Sequence, residues 1–443
     1  MNLDVAQTDV ELRDVQSKWN WSTSAWTLWS IVAAFGTYFC MYGFRVPFKA
    51  GAYEYTYTFT GNLQLDEKSI FVIAQVVGYT ISKFLGIKFV SELPPNRRAV
   101  AILALIGFSH IALIGFGAAS RPWNILLIFL NGLPLGMVFG LVLGFLEGRQ
   151  TTELLAAGLC TSFILADGVM KSVGQTLIAP FGESWMPAVA GSVFIFPLLF
   201  FVWMLAQIPR PSHADESQRQ VRTVMNRSDR WAYLHRYAWG LSPIMVVYLL
   251  ANIIRSIRGD FARELWTDLG VDQAEFATRF TQSEIWVGIL VLAINGSCVL
   301  FRHNGKAYLS SLSICAAGVL LMLSACFLQS YRMLDPLTFM VLVGLGLYMP
   351  YVAIHTTVLE RFIALTGEKG NLGYLMALVD STGYFGYVMV LLARKFVKFE
   401  GNILQFFIVA CSIAGAISLL SIAWSAIHYR VRFSNRTKTA ISD

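Results

Sequence analysis

The feature that most constrains this chain is its succession of long apolar runs. Twelve stretches recur along it, at roughly 25–46, 68–90, 99–119, 123–146, 153–179, 186–207, 238–260, 280–301, 307–328, 336–360, 371–393 and 402–428. A helix crossing the hydrocarbon layer of a bilayer needs about 20 consecutive apolar residues. No single soluble core could absorb so many runs of that length. The composition agrees: 56% of 443 residues are hydrophobic and 14% charged, against about 25% charged in a soluble protein. The reading is an all-α integral membrane protein with about twelve transmembrane helices.

A polar stretch divides the runs into six and six. The expected organisation is an N-terminal tail over 1–24, a six-helix bundle over 25–207, a central loop over 208–236, a second six-helix bundle over 237–429 and a C-terminal tail over 430–443. The start of the chain carries Asp4, Asp9 and Glu11 in place of a basic segment leading into an apolar one, so no cleaved signal peptide is expected. Counting Lys and Arg in alternate loops gives roughly 20 on the side of the termini and the central loop, against roughly 10 on the other, where Lys49, Lys68 and Arg258 are counted. The positive-inside rule then makes the termini and central loop cytoplasmic, in a plasma membrane of bacterial (inner-membrane) type. The same rule accounts for the net charge of +7. No basic helix with interleaved aromatics suggests a nucleic-acid partner.

Six cysteines (Cys40, Cys160, Cys298, Cys315, Cys326 and Cys411) lie inside apolar runs without CxxC or Cys/His clustering. They read as packing residues, and neither a metal nor an organic cofactor is implied. Phosphate-loop, zinc-protease and nucleophile-elbow signatures are absent from the sequence, so no enzymatic activity is expected. Gly132, Pro134, Gly136, Gly140 and Gly144 read as close-packing and bending elements of the fourth span.

The halves carry matching marks. Tyr38 and Arg45 in the first span share their spacing with Tyr248 and Arg255 in the seventh. Asp167 in the fifth matches Asp380 in the eleventh, and FLEGR at the end of the fourth matches VLERF in the tenth. Such internal repetition is one of the plans on which transporters are built.

Charges inside these spans are costly, at about 2.5–3.5 kcal/mol each on insertion scales, and usually face a bundle interior. Arg45, Lys83, Lys171 and Arg255 are the cations, and Asp167, Glu284 and Asp380 the acids, that either balance charge or couple ions. Lys171 can pair with Asp167 one turn away, and Lys83 can snorkel to the surface. Arg45 and Arg255, related by the repeat, can clamp one doubly charged anion from both sides, because guanidinium presents a planar fork to carboxylate or phosphate. Glu147 and Glu360 are alternative structural partners for them. Tyr38 and Tyr42 fall on one helical face with Arg45. His355 has no evident partner in the sequence.

Several segments resemble the major facilitator superfamily and, within it, the organophosphate:phosphate antiporters, such as glycerol-3-phosphate and hexose-phosphate transporters. Tyr38, Tyr42 and Arg45, followed by VPFKA, are similar to that family's Y-x-x-x-Y-x-x-R-x-x-F-A. GYTISKF (Gly78–Phe84) is similar to YGFSKF, matching Tyr79 and Lys83 to its pathway-lining tyrosine and lysine. FLNGLPLGM, IIRSIRGDF (with Arg255 and Asp260), LYMPYVAIHTTVLE and GYFGY, ending at Tyr387, resemble its fourth, seventh, tenth and eleventh helices, and Glu284 falls where the family carries a pathway glutamate. The resemblance implies two phosphate-binding arginines and rocker-switch exchange of organic for inorganic phosphate. Two departures stand out. Lys171 replaces the family's fifth-helix histidine, and GIKFVSELPPNRR keeps Gly86, Arg97 and Arg98 of the superfamily's G-x-x-x-D-R-x-x-R-R but not its Asp-Arg pair.

The expectation is a monomeric secondary transporter of a small organic anion, a phosphate ester or carboxylate. Arg45, Arg255, Lys171, Lys83, Tyr38, Tyr42 and Tyr79 would bind the anion, with inorganic phosphate or protons as the coupling ion. The alternative is a sensor of the same fold that binds the anion without moving it and signals to a partner.

Overall fold

The computed structural model describes residues 23–59, 63–146, 152–209, 227–296, 304–366, 372–393 and 402–432. The first half contains α1 (Thr23–Tyr42), α2 (Glu67–Glu92), α3 (Arg98–Ala118), α4 (Trp123–Leu135), α5 (Val138–Leu146), α6 (Thr152–Val193) and α7 (Ile195–Ala206). The second contains α8 (Arg227–Asp260), α9 (Ala262–Asp268), α10 (Phe276–Gly296), α11 (Asn304–Ser330), α12 (Pro336–Ala353), α13 (Leu359–Thr366), α14 (Leu372–Ala393) and α15 (Ile403–Arg432). A short hairpin, β1 (Thr56–Phe59) against β2 (Leu63–Asp66), caps the entry to α2, whose first turn is closed by the Asp66 carboxylate accepting from the Ser69 amide.

Among the described residues, eight helical stretches are long and apolar enough to cross a membrane by length and composition, one of them, Gly158–Ala206, long enough for two passes. The backbone of α6 leaves helical geometry at Gly182, whose φ of 73° suits glycine, and there the chain turns between its fifth and sixth passes. α4 and α5 form one pass broken just after the buried Pro134. α12, a π-helical turn at Ile354–Val358 and α13 likewise form one pass.

Two helix bundles result. In the first, α1 packs on α6 and α7, and α4 on α2 and α3. In the second, α8 packs on α12, α14 and α15, and α12 on α10 and α11. The bundles meet along two helix pairs, α6 with α10 and α2 with α14. Close approach there needs small residues: a Cβ on Gly168 would stand 2.3 Å from the Phe280 carbonyl oxygen across the α6–α10 contact. Inside the first bundle Gly132 plays the same part against the Gln75 carbonyl at 2.2 Å. Large apolar side chains such as Phe196, Leu420 and Ile111 point outward, which suits a surface bathed in lipid.

Two expectations are corrected. α8 begins at Arg227, inside the stretch expected to be loop. Lys49, Lys68 and Arg258, counted as loop charges, are buried, with side chains 4%, 2% and 2% exposed. Each is held by an acid supplied from far along the sequence or from another helix, which is why hydropathy alone assigned them to loops.

Candidate functional site

Arg45 does not lie in a helix. α1 ends at Tyr42, and the chain turns through Gly43–Val46 before a 3-10 turn at Pro47–Ala50. The regular helix is left at Gly43, although Val46, the residue before Pro47, keeps near-helical dihedrals of φ −99° and ψ −34°. The helical-face argument therefore holds for Tyr38 and Tyr42, whose rings are 5.5 Å apart, but not for Arg45. The turn is pinned by two buried amides. Gln75 Nε2 donates to the Arg45 carbonyl at 2.9 Å and to Asn131 Oδ1 at 2.7 Å, while Asn131 Nδ2 donates to the Phe44 carbonyl at 2.9 Å and to Ser109 Oγ at 2.6 Å. Sequence reading passed over both amides, because a lone Gln and a lone Asn in apolar runs carry no pattern.

Arg255 sits within α8, a turn before its end. Both arginines line one central cavity of about 20 Å³, room for roughly one water molecule. Tyr42, Lys49, Asp167, Ser256, Asp260, Tyr384 and Tyr387 also line it. Neither guanidinium has a carboxylate within ion-pairing distance among the described residues. Arg45 lies over the Tyr79 ring at 3.9 Å, and Arg255 over Tyr351 at 4.7 Å, with Nη2 donating to Asn252 Oδ1 at 2.8 Å. The Nε of each is buried without a hydrogen-bond partner. Glu360 is not the acid for either arginine, and Glu147 lies outside the described residues.

Among the described residues, the other charged side chains that line the cavity, Lys49, Asp167 and Asp260, are all paired, and so are the nearby Lys83 and Arg258. Lys49 binds Asp260, which also accepts from Tyr387 at 2.7 Å. Lys171 binds Asp167, as the i,i+4 spacing allowed. Arg258 binds Glu284 at 2.6 Å, and Lys83 binds Asp380 at 2.7 Å. Four pairs thus cancel, and the site retains two positive charges, those of Arg45 and Arg255. Lys83 does not snorkel: it points inward, 5.5 Å from the Tyr79 ring that Arg45 covers. Glu284 is removed from the cavity lining, held on Arg258. His355, without an evident partner in the sequence, lies 3.5 Å from Asp380.

The cavity lies between two levels of contacts that join the bundles. At one level are Lys49 with Asp260, Lys68 with Glu264 at 2.6 Å, and Arg263 donating to the Ala50 carbonyl at 3.0 Å. At the other is Lys83 with Asp380. Lys68 and Lys83 both lie on α2, about 22 Å apart along it at 1.5 Å per residue. Between the levels Tyr79 of α2 faces Tyr384 of α14, with ring centroids 4.9 Å apart.

The comparisons with known proteins bear on the fold. A family described as "Family of unknown function (DUF5690)" matches residues 47–432. No curated protein gives a significant match. The crystal structure of a D-xylose-proton symporter superposes on 90% of this chain and 96% of its own, with a TM-score of 0.55 at 14% sequence identity. At that identity the likeness is one of fold alone, an all-α architecture of helix bundles.

Proposed function

The chain belongs to the family of unknown function DUF5690, and we propose that it is a secondary transporter of a small dianion. The observation that carries this is the charge count around the cavity: after four ion pairs cancel, Arg45 and Arg255 remain, one from each bundle. A buried charge without a partner is costly, and two guanidinium forks facing one cavity suit an anion carrying two charges. A phosphate monoester or a dicarboxylate has that charge. The resemblance of Tyr38, Tyr42, Arg45, Tyr79 and Lys83 to organophosphate antiporters favours the phosphate ester. In this reading Tyr42 and Tyr384 give hydroxyls to the anion, and Tyr38 and Tyr79 support Tyr42 and Arg45 from behind. Lys171 tunes the potential through Asp167.

Transport would proceed by alternating access. The bundles are tied at two levels about 22 Å apart on α2, and rocking one bundle against the other must open one level while keeping the other. The termini and the 208–236 segment are assigned to the cytoplasm. With Lys49, Lys68 and Arg258 removed from the loop tally, the basic excess on that side becomes roughly 20 against 7.

The test is a thermal-shift screen of purified protein against inorganic phosphate, glycerol 3-phosphate, succinate, acetate and D-xylose, followed by counterflow in proteoliposomes with whichever dianion stabilises. Ligands stabilise the state they bind. Dianions should raise the melting temperature in wild type and not in Arg45→Ala. Stabilisation by D-xylose alone, with no dianion effect, would overturn the reading. Binding without counterflow would identify a sensor.

A further inference from the structure

Beyond the cavity, on the far side of Tyr79 and Tyr384, Asp380 is held by three groups at once. Lys83 of α2 donates to Oδ2 at 2.7 Å, Tyr248 of α8 donates to Oδ1, and His355 Nε2 stands 3.5 Å from the same Oδ1. The imidazole is 4% exposed and lies against Tyr351 at 5.1 Å and Tyr248 at 5.0 Å, with the edge of Phe139 from α5 at 6.3 Å. Its Nδ1 is buried without a hydrogen-bond partner. The ring is carried on the π-helical turn Ile354–Val358, and such turns are rare and concentrate at functional sites.

We propose that His355 is a proton-binding site that fills when Lys83 leaves Asp380, so that loading of the anion is linked to uptake of one proton. The inference deepens the anion-transport reading and rests on it for the link, though not for the proton site itself. With Lys83 in place, the ammonium balances the carboxylate and the imidazole is neutral. The other charged or titratable groups that face this cluster are Arg255, on the cavity side of Tyr351, and Cys160 of α6, beside Asp380. If the ammonium departs, Asp380 is left as a bare carboxylate in a buried setting, which is costly. One proton from water, bound at Nε2, restores neutrality by making an imidazolium–carboxylate pair at the position the structure already gives. No other bond changes.

Lys83 has somewhere to go. Its ammonium is 5.5 Å from Tyr79 and 5.9 Å from Tyr384, the two rings that also contact Arg45 at 3.9 and 5.9 Å. It is thus one ring away from the cavity that Arg45 and Arg255 line. Because Lys83 and Asp380 belong to different bundles, separation at that level also breaks their pair.

The experiment needs no anion, so its outcome is independent of whether the anion reading stands. Full-length protein labelled with ¹⁵N,¹³C-histidine is purified in micelles, and the His355 ring signals are identified by their loss in His355→Gln. At about pH 7 wild type should show a neutral ring. Lys83→Met should show an imidazolium, Lys83→Arg a neutral ring again, and Lys83→Met combined with Asp380→Asn a neutral ring. A merely structural effect of losing Lys83 would not be reversed by the second substitution. A neutral ring in Lys83→Met, or a charged one in wild type or Lys83→Arg, overturns the proposal.

Discussion

Arg45 and Arg255 reach one cavity from opposite bundles, and aromatic faces, not acids, support them both: Tyr79 beneath the first and Tyr351 beneath the second. Stacking on a ring leaves the edges of the guanidinium free to donate, which is the geometry a planar oxyanion needs. Arg45→Lys and Arg255→Lys should therefore damage dianion binding nearly as much as the alanine variants. Lysine keeps the charge but not the fork. The expected loss is about 2–5 kcal/mol, or roughly 30-fold or more in affinity at about 1.4 kcal/mol per decade. Titration calorimetry on purified variants decides it. Affinity unchanged in both lysine variants would leave these arginines with a packing role only.

The charge count makes a separate claim about Lys171 and Asp167. Lys171→Met alone leaves the Asp167 carboxylate, which lines the cavity, without its cation. The site would then hold a net charge one unit lower, and dianion affinity should fall at least about tenfold. Adding Asp167→Asn restores the count and should recover most of the affinity, within a few-fold of wild type. The cycle isolates the interaction between two residues in contact. Recovery failing in the double variant would mean that Lys171 touches the anion itself.

Gly168 tests the seam between the bundles. An alanine there would press its methyl against the Phe280 carbonyl oxygen at 2.3 Å, a contact that backbone has to yield to. Overpacking of this kind costs about 1–3 kcal/mol. Thermal unfolding of Gly168→Ala should show that loss, whereas Gly107→Ala, where an added Cβ meets nothing within 4 Å, should unfold like wild type. Equal melting temperatures for the two variants would mean the α6–α10 contact relaxes freely.

How much of this was written in the sequence follows from the range of each interaction. Spans were legible because hydropathy is local; the bounds of α2, α3 and α11 fall close to those expected. The Lys171–Asp167 pair was legible because its members are one helical turn apart. Lys49 and Asp260, 211 positions apart, and Lys83 and Asp380, 297 apart, were not. Only the meeting of two bundles creates those pairs, and no periodicity records it. Arg258 was misplaced for a related reason: a charge close to the end of a hydrophobic run looks like the start of a loop until Glu284, on another helix, is seen to meet it. The tyrosines under the arginines were half legible. Tyr79 was matched to a pathway tyrosine, whereas Tyr348 and Tyr351, within LYMPYVAIHTTVLE, and Tyr384, within GYFGY, carried no role of their own.

Asn131 and Gln75 hold the turn that carries Arg45, through the carbonyls of Phe44 and Arg45. Neither lines the cavity. Asn131→Leu keeps a similar volume and removes the amide, leaving the Phe44 carbonyl and the Ser109 hydroxyl without that partner in a buried setting. An unmet buried polar group costs about 1–3 kcal/mol, so stability should fall by that order. If the amide also positions Arg45, dianion affinity should fall about tenfold, while the Arg255-side substitution Asn252→Ala, which frees one guanidinium bond, acts independently and additively. Affinity and melting temperature measured on the same preparations separate the two effects. A variant that melts early but binds with wild-type affinity would show that the turn holds its shape without Asn131, and that the position of Arg45 is set by Pro47 and the end of α1 instead.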